Sequence, residues 1–285
     1  MLDDLTALGP FFAVSSHPPG AGPVPPWRPA SELTGPSGPL SDRIVSVRAA
    51  LAARGGRPVA KIEPRVAASA VHLGLVARLV SPALGAAVLG HRVDLRPGGL
   101  WWQDTAGGPV PLSVPAGDAG NPGEWDRTLL DEAVAPVTAA VARLVPVSGR
   151  VLWGNVASAA NAAAAQVARQ RPDLAGDAWR AAGRLLASPW LRDEPHPPGP
   201  AFRRSSCCLF YRLAPGDPSA FCGDCVLTGR QANHDRLSRT TSCSACRHPL
   251  PAGAWRAERA VSSPSRCASG VVIATPNAHP SQGLV

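Results

Sequence analysis

The sequence predicts a mainly α fold: a helical body with a small β-hairpin region, then a short cysteine-rich module and a polar tail. Three observations carry this. Apolar residues recur at helical spacing in several stretches between positions 42 and 186. Short apolar runs separated by Gly-rich turns are confined to 93–114. All seven cysteines lie at or beyond Cys207, and apolar periodicity fades after Leu227.

Residues 1–41 form an N-terminal segment; its part 17–41 is dense in proline and glycine (Pro18, Pro19, Pro23, Pro25, Pro26, Pro29) and reads as loop or extended chain. A helical body is expected over 42–191. Asp42–Arg54 is its first helix, with Ile44, Val47 and Leu51 on one face and Ser41 or Asp42 as N-cap. A second runs from about Arg65 to Val80 with Val66, Ala70, Leu73, Ala77 and Val80 at helical spacing, and Pro82 opens a third. Val93–Leu95, Leu100–Gln103 and Val110–Val114 predict a small antiparallel hairpin region. Asp126–Leu144 is a long amphipathic helix interrupted or kinked at Pro136, and Arg150–Gln170 is another, whose Ala-rich centre allows close helix approach. Asp177–Leu186 closes the body, stopped before Pro189. Residues 192–200 are a Pro-rich linker opening the cysteine module, 192–227, and 228–285 reads as a largely disordered tail rich in Ser, Thr, Arg and Pro.

Composition narrows the function. The net charge of +8 is uneven: residues 1–225 hold 21 basic and 18 acidic side chains, residues 226–285 hold 7 and 2. No basic face with interleaved aromatics accompanies it, so nucleic acid is not the expected partner. The acidic start Met1-Leu2-Asp3-Asp4-Leu5 is unlike a signal peptide. The longest apolar stretch, Val66–Leu89, contains His72, Arg78 and Ser81-Pro82, which fits buried helices and not a membrane span. The expectation is a cytosolic chain with reduced thiols, no transmembrane segment, and room for peripheral association at the inner face of a membrane. An odd cysteine count argues against a disulfide framework.

The chemistry lies in Cys207-Cys208 and Cys222-Gly223-Asp224-Cys225, four thiols within nineteen residues. Thiolates select soft metals, zinc or iron–sulfur clusters. Consecutive side chains diverge on a regular backbone, so Cys207 and Cys208 suit different atoms of a two-iron cluster better than one zinc ion. A competing pattern exists. Cys222, Cys225, Cys243 and Cys246 have zinc-ribbon spacing, C-x2-C-x17-C-x2-C, and imply a structural or interaction module. A thiol-redox C-x-x-C is disfavoured because no βαβ pattern precedes either pair.

The block Arg203-Arg204-Ser205-Ser206-Cys207-Cys208-Leu209-Phe210-Tyr211-Arg212, closed by Cys222-Gly223-Asp224-Cys225-Val226-Leu227, resembles the FhuF-like ferric-siderophore reductase family. Weaker matches are His72–Pro82, Trp101-Trp102 and Leu152–Ser158. The family hallmark is C-C-x10-C-x2-C binding a [2Fe-2S] cluster; here the gap from Cys208 to Cys222 is thirteen residues. The extra residues fall within Ala214–Ala220, and three residues cost a loop only about 0.2–0.3 kcal/mol. The resemblance implies a [2Fe-2S] cofactor on Cys207, Cys208, Cys222 and Cys225. It implies one-electron reduction of a siderophore's Fe(III) to Fe(II) in the cytoplasm, with a cellular electron donor as second partner. Four thiolates around two ferric irons and two sulfides carry a charge of minus two, and minus three once reduced. Arg203, Arg204 and Arg212 are expected to offset that charge and to attract an anionic ferric complex. His72 and Arg78 are further candidates for substrate contact; against them stands their place on a helix that otherwise reads as core.

Overall fold

Helix α3, Pro64–Val88, is the axis of the fold. Its sequence has no polar stripe, and a helix apolar all round must be buried. Every residue from Val66 to His72 is buried in the structure. This computed structural model describes residues 1–35, 38–117, 122–192, 197–217 and 220–228. By length and hydropathy α3 could cross a membrane, yet 78% of its most apolar window is buried inside the protein. The break expected at Pro82 is absent: the helix continues to Val88 with Pro82 inside it. An internal proline costs about 3 kcal/mol. Ala83, Leu84 and Ala86, all core residues beyond it, supply the burial that offsets this.

Other helices wrap this axis. Helix α1 (Leu2–Ala7) and the turn after it set Leu5, Leu8 and Phe12 against α3. Gly85 permits the approach, since a Cβ there would lie 2.7 Å from the Phe12 ring. Helix α2 (Pro39–Arg54) starts three residues before the expected Asp42, with Gly38 in the N-cap position and Pro39 opening its first turn. Four short strands make one sheet, ordered β1-β4-β3-β2: β1 (Ser15–His17), β2 (Arg28–Pro29), β3 (Trp101–Trp102) and β4 (Leu112–Pro115). The antiparallel β3–β4 pair aligns Trp101 with Ser113, and β1 runs parallel to β4 with Ser15 on the same Ser113. Val93–Leu95 is buried loop where a strand was expected.

Residues 125–144 are helical throughout: α4 (Trp125–Thr128), a π-helical stretch Leu129–Val134, and α5 (Ala135–Leu144). Pro136 explains the π stretch, because it withholds the N–H that would bond the carbonyl of Glu132. Helix α6 (Gly149–Gln170) packs most extensively on α3, and α7 (Ala175–Leu186) on α6. The alanine-rich face of α6 lets it lie close to the core: Ala157, Ala160 and Ala164 are wholly buried. The fold is therefore mainly helical with one small sheet.

The cysteine segment is fastened to this body. The Ser206 hydroxyl donates to the Arg150 carbonyl at 2.7 Å, and Arg57 donates to the Leu213 carbonyl at 2.7 Å. The expected disorder of the tail, together with Cys243, Cys246 and Cys267, lies outside the described residues.

Candidate metal centre

Four free thiols line the C-terminal segment: Cys208 and Cys225 are buried, Cys207 and Cys222 half-buried. Cys208 Sγ and Cys222 Sγ are 3.4 Å apart, so the Cys-Cys pair and the C-x-x-C loop meet although fourteen positions separate them. Among the described residues no three His, Cys, Asp or Glu side chains form a site for a single metal ion. The thiols instead run in a row, Cys207 to Cys208 to Cys222, and the Cys225 N–H donates to the Cys222 carbonyl at 3.1 Å.

Local backbone geometry builds this row. Leu209 sits in the left-handed region at φ 72°, uncommon for a bulky residue. That turn brings the Leu209 N–H to Cys207 Sγ at 3.2 Å. The Leu227 N–H does the same for Cys225 Sγ at 3.4 Å. Such N–H donors stabilise sulfur carrying negative charge and tune a bound metal group. Without metal the Cys207 and Cys208 thiols hold their protons. Contact with the Cys208 thiol, then burial, pushes the Cys207 thiol well above its ordinary range, against the Leu209 N–H and the Arg204 charge. For Cys208 the Cys207 contact lowers the pKa, but the Cys222 contact and burial outweigh it and push it up to about 11. Metal binding therefore has to displace these protons. A donor set of four sulfurs would fit a [2Fe-2S] cluster, which four thiolates hold.

Behind the row lies a buried polar chain with a fixed direction. Arg204, 1% exposed, can only donate; it bonds the Ser206 carbonyl at 2.6 Å, the Val151 carbonyl at 3.1 Å and Asn155 Oδ1 at 2.8 Å. Asn155 Nδ2 must then donate, and it reaches the Ser69 carbonyl and hydroxyl at 3.1 Å and His72 Nδ1 at 3.4 Å. Thr138 gives its hydroxyl proton to the Val134 carbonyl, so it accepts from His72 Nε2, 3.0 Å away. His72 is thus the neutral Nε2–H tautomer, and burial, aided by the Arg204 charge, pushes its pKa down to about 3. Ser69 Oγ donates to the Cys208 carbonyl at 3.0 Å.

The structure places three of the expected substrate-site residues in the interior. His72, Arg78 and Arg204 are buried with their polar atoms engaged inside the protein. Arg78 gathers carbonyls, at 2.6 Å from Val110 and 2.7 Å from Ala13, together with that of Phe11, and fastens the N-terminal turn to the sheet region. Arg212 is half-buried, pairs with Glu63 at 2.7 Å and lies over the Tyr211 ring. Its hydrogen bond, with a second from Arg65, holds the Glu63 carboxyl below its usual range. Arg203 alone of the three flanking arginines is exposed. Ser69 and Thr138 escaped the sequence reading. A serine inside the run Val66–Val71 was the available signal, since such a residue must bond something.

A groove of about 420 Å³ opens beside the centre, between the N-terminal turn, α3 and α6. Phe11, Phe12 and Leu73 give it apolar walls, Gly74 and Ala162 leave the space, and Phe210 lines it near the thiols. Phe210 is two positions from Cys208, at most about 7 Å of chain.

Residues 204–227 match the model of the FhuF 2Fe-2S C-terminal domain. The match spans all four thiols and Arg204, so this segment is similar to a [2Fe-2S] domain. No curated protein sequence matches the chain.

Proposed function

We propose that the protein is a cytoplasmic ferric-siderophore reductase, with Cys207, Cys208, Cys222 and Cys225 as the ligands of its cluster. The observation that carries this is the meeting of Cys208 with Cys222 inside the segment that matches a [2Fe-2S] domain. The bound [2Fe-2S] group supplies one electron at a time, the amount that converts Fe(III) to Fe(II). Siderophores hold ferric iron through hard oxygen donors, and the softer, larger Fe(II) is held less tightly and leaves. The chain's own residues supply the setting. Leu209 and Leu227 orient sulfur through their N–H groups. The groove at Phe210 offers a substrate a seat beside the thiols, and Arg203 offers an anionic complex a point of attraction. A cellular reductant restores the electron.

The test is single turnover. Full-length protein, reduced and freed of excess reductant under anaerobic conditions, is mixed with a ferric siderophore and a ferrous chelator. Reoxidation of the protein matched by one ferrous ion captured per electron supports the reading. A protein that stays reduced with every ferric siderophore, yet is rapidly oxidised by a protein partner, is an electron carrier for another pathway.

The zinc-ribbon reading needs Cys243 and Cys246, which lie outside the described residues. Of its first pair, Cys222 lies against Cys208.

A further inference from the structure

Arg204 is a buried cation whose acceptors among the described residues are neutral: two carbonyls and the Asn155 amide oxygen. Among the described residues no carboxylate pairs with it, whereas Arg43 has Asp104 and Arg212 has Glu63. A charge held away from water is costly unless an opposite charge lies near. The Arg204 N–H also donates to the Asp224 carbonyl, inside the C-x-x-C loop, at 3.1 Å. Its side chain bonds the carbonyl of Ser206, the residue before Cys207. Arg204 therefore touches both segments that carry the thiols and has no anion of its own among the described residues.

We propose that Arg204 is the protein's fixed counter-charge for the cluster: a positioning residue whose buried positive charge stabilises the reduced state and holds the reduction potential up. Reduction takes one electron and no proton, because the neighbouring chain is locked in direction: Asn155 accepts from Arg204 and donates to His72, and His72 donates to Thr138. The added negative charge must then be met by charge already in place, and Arg204 is the buried cation bonded to the ligand segments. This inference rests on the cluster and not on the identity of the substrate, so it can fail while the reductase reading stands, and the reverse.

Arg78 provides an internal control. It too is a buried arginine that donates only to carbonyls, those of Val110, Ala13, Phe11 and Pro10, all outside the ligand segments. Full-length, cluster-loaded R204M, R204K and R78M are equilibrated with one-electron mediator dyes, and the ratio of reduced to oxidised cluster is read from absorbance at fixed potential. R204M is expected to shift that ratio at least tenfold toward the oxidised form, a fall of at least about 59 mV for a one-electron couple. R204K, which keeps the charge, stays within threefold of the parent, and R78M changes thermal stability without moving the ratio. A loaded R204M within threefold of the parent overturns the proposal, and so does an equal shift in R204K or R78M. Should R204M fail to hold iron, R204K decides. Loading with the parent ratio shows that the charge is required, and failure to load assigns the role to the hydrogen bonds and overturns the proposal.

Discussion

The hydroxyl of Ser69, on the core helix α3, donates a 3.0 Å hydrogen bond to the main-chain carbonyl of Cys208. Both residues are buried, so no water substitutes for the donor. Leaving a buried carbonyl unpaired costs about 1–3 kcal/mol. S69A is expected to lower stability toward denaturant by about 1–2 kcal/mol on that principle, and to speed cluster loss to a chelator. Denaturant midpoints and the decay of cluster absorbance measure the two effects. If neither moves, the bond does not support the ligand segment.

Serine at Cys207, Cys208, Cys222 or Cys225 should lose the cluster or change its spectrum, whereas C243S and C246S should not. Purified parent protein should be reddish-brown with about two irons and two sulfides per chain, as four-thiolate ligation requires. Stoichiometric zinc, lost in C243S or C246S, would instead establish the zinc ribbon.

His72 makes the fold acid-sensitive in a definite window. Its pKa in the folded protein is about 3, pushed down by burial and then by Arg204, against about 6.5 when unfolded. Between those values the unfolded chain binds a proton that the folded one refuses, so stability rises with pH and falls on acidification. The loss begins near pH 6.5 and amounts to about 1.4 kcal/mol per pH unit once well below it. H72Q keeps a donor for Thr138 and has no such proton. Denaturation between pH 4.5 and 7 should show a flatter dependence in H72Q than in the parent. Carboxylates held low by arginines, such as Asp94 beside Arg96, act at lower pH and do not mimic this. Parallel curves would mean that His72 carries its proton in the folded state.

Why some of this was legible in the sequence and some not follows from the range of each interaction. Helix α6 was marked by local periodicity, and the four thiols by their spacing. Strands β1 and β2, three and two residues long, have no alternation to read and exist only through pairing with β4 and β3. The continuation of α3 through Pro82 depends on burial supplied by distant elements, which local proline chemistry does not report. The sequence alone does not set Arg204 apart from Arg203 and Arg212, because its partner Asn155 is 49 positions away, and Ser69 is 86 from Asn155. In a chain with a single lysine, arginine marks a buried donor as readily as a solvated charge.

Arg203, exposed beside the thiols, should act on the rate of encounter and not on the cluster. R203A should leave iron content and spectrum unchanged and weaken the salt dependence of oxidation by an anionic ferric complex. Steering by exposed charge is screened within about 10 Å at 0.1 M salt. Stopped-flow rates for parent and R203A should differ at low ionic strength and converge as salt rises. Equal rates at every salt concentration would remove Arg203 from the approach path.

The groove gives the most direct test of where a substrate sits. Ala162 is exposed on its α6 side, and tryptophan there would occupy part of the 420 Å³ without entering the core. Ala157, Ala160 and Ala164, which do face the core, are untouched, so the fold and the thiols should be preserved. A162W should therefore load two irons and match the parent spectrum. Its reduced form should react with a ferric siderophore at least tenfold more slowly, because the complex no longer settles beside Phe210. Oxidation by ferricyanide, small enough to need no seat, should keep the parent rate. A siderophore reaction as fast in A162W as in the parent would place the site of electron transfer elsewhere, with Arg203 and the exposed edge of the Cys222 loop the next surface to alter.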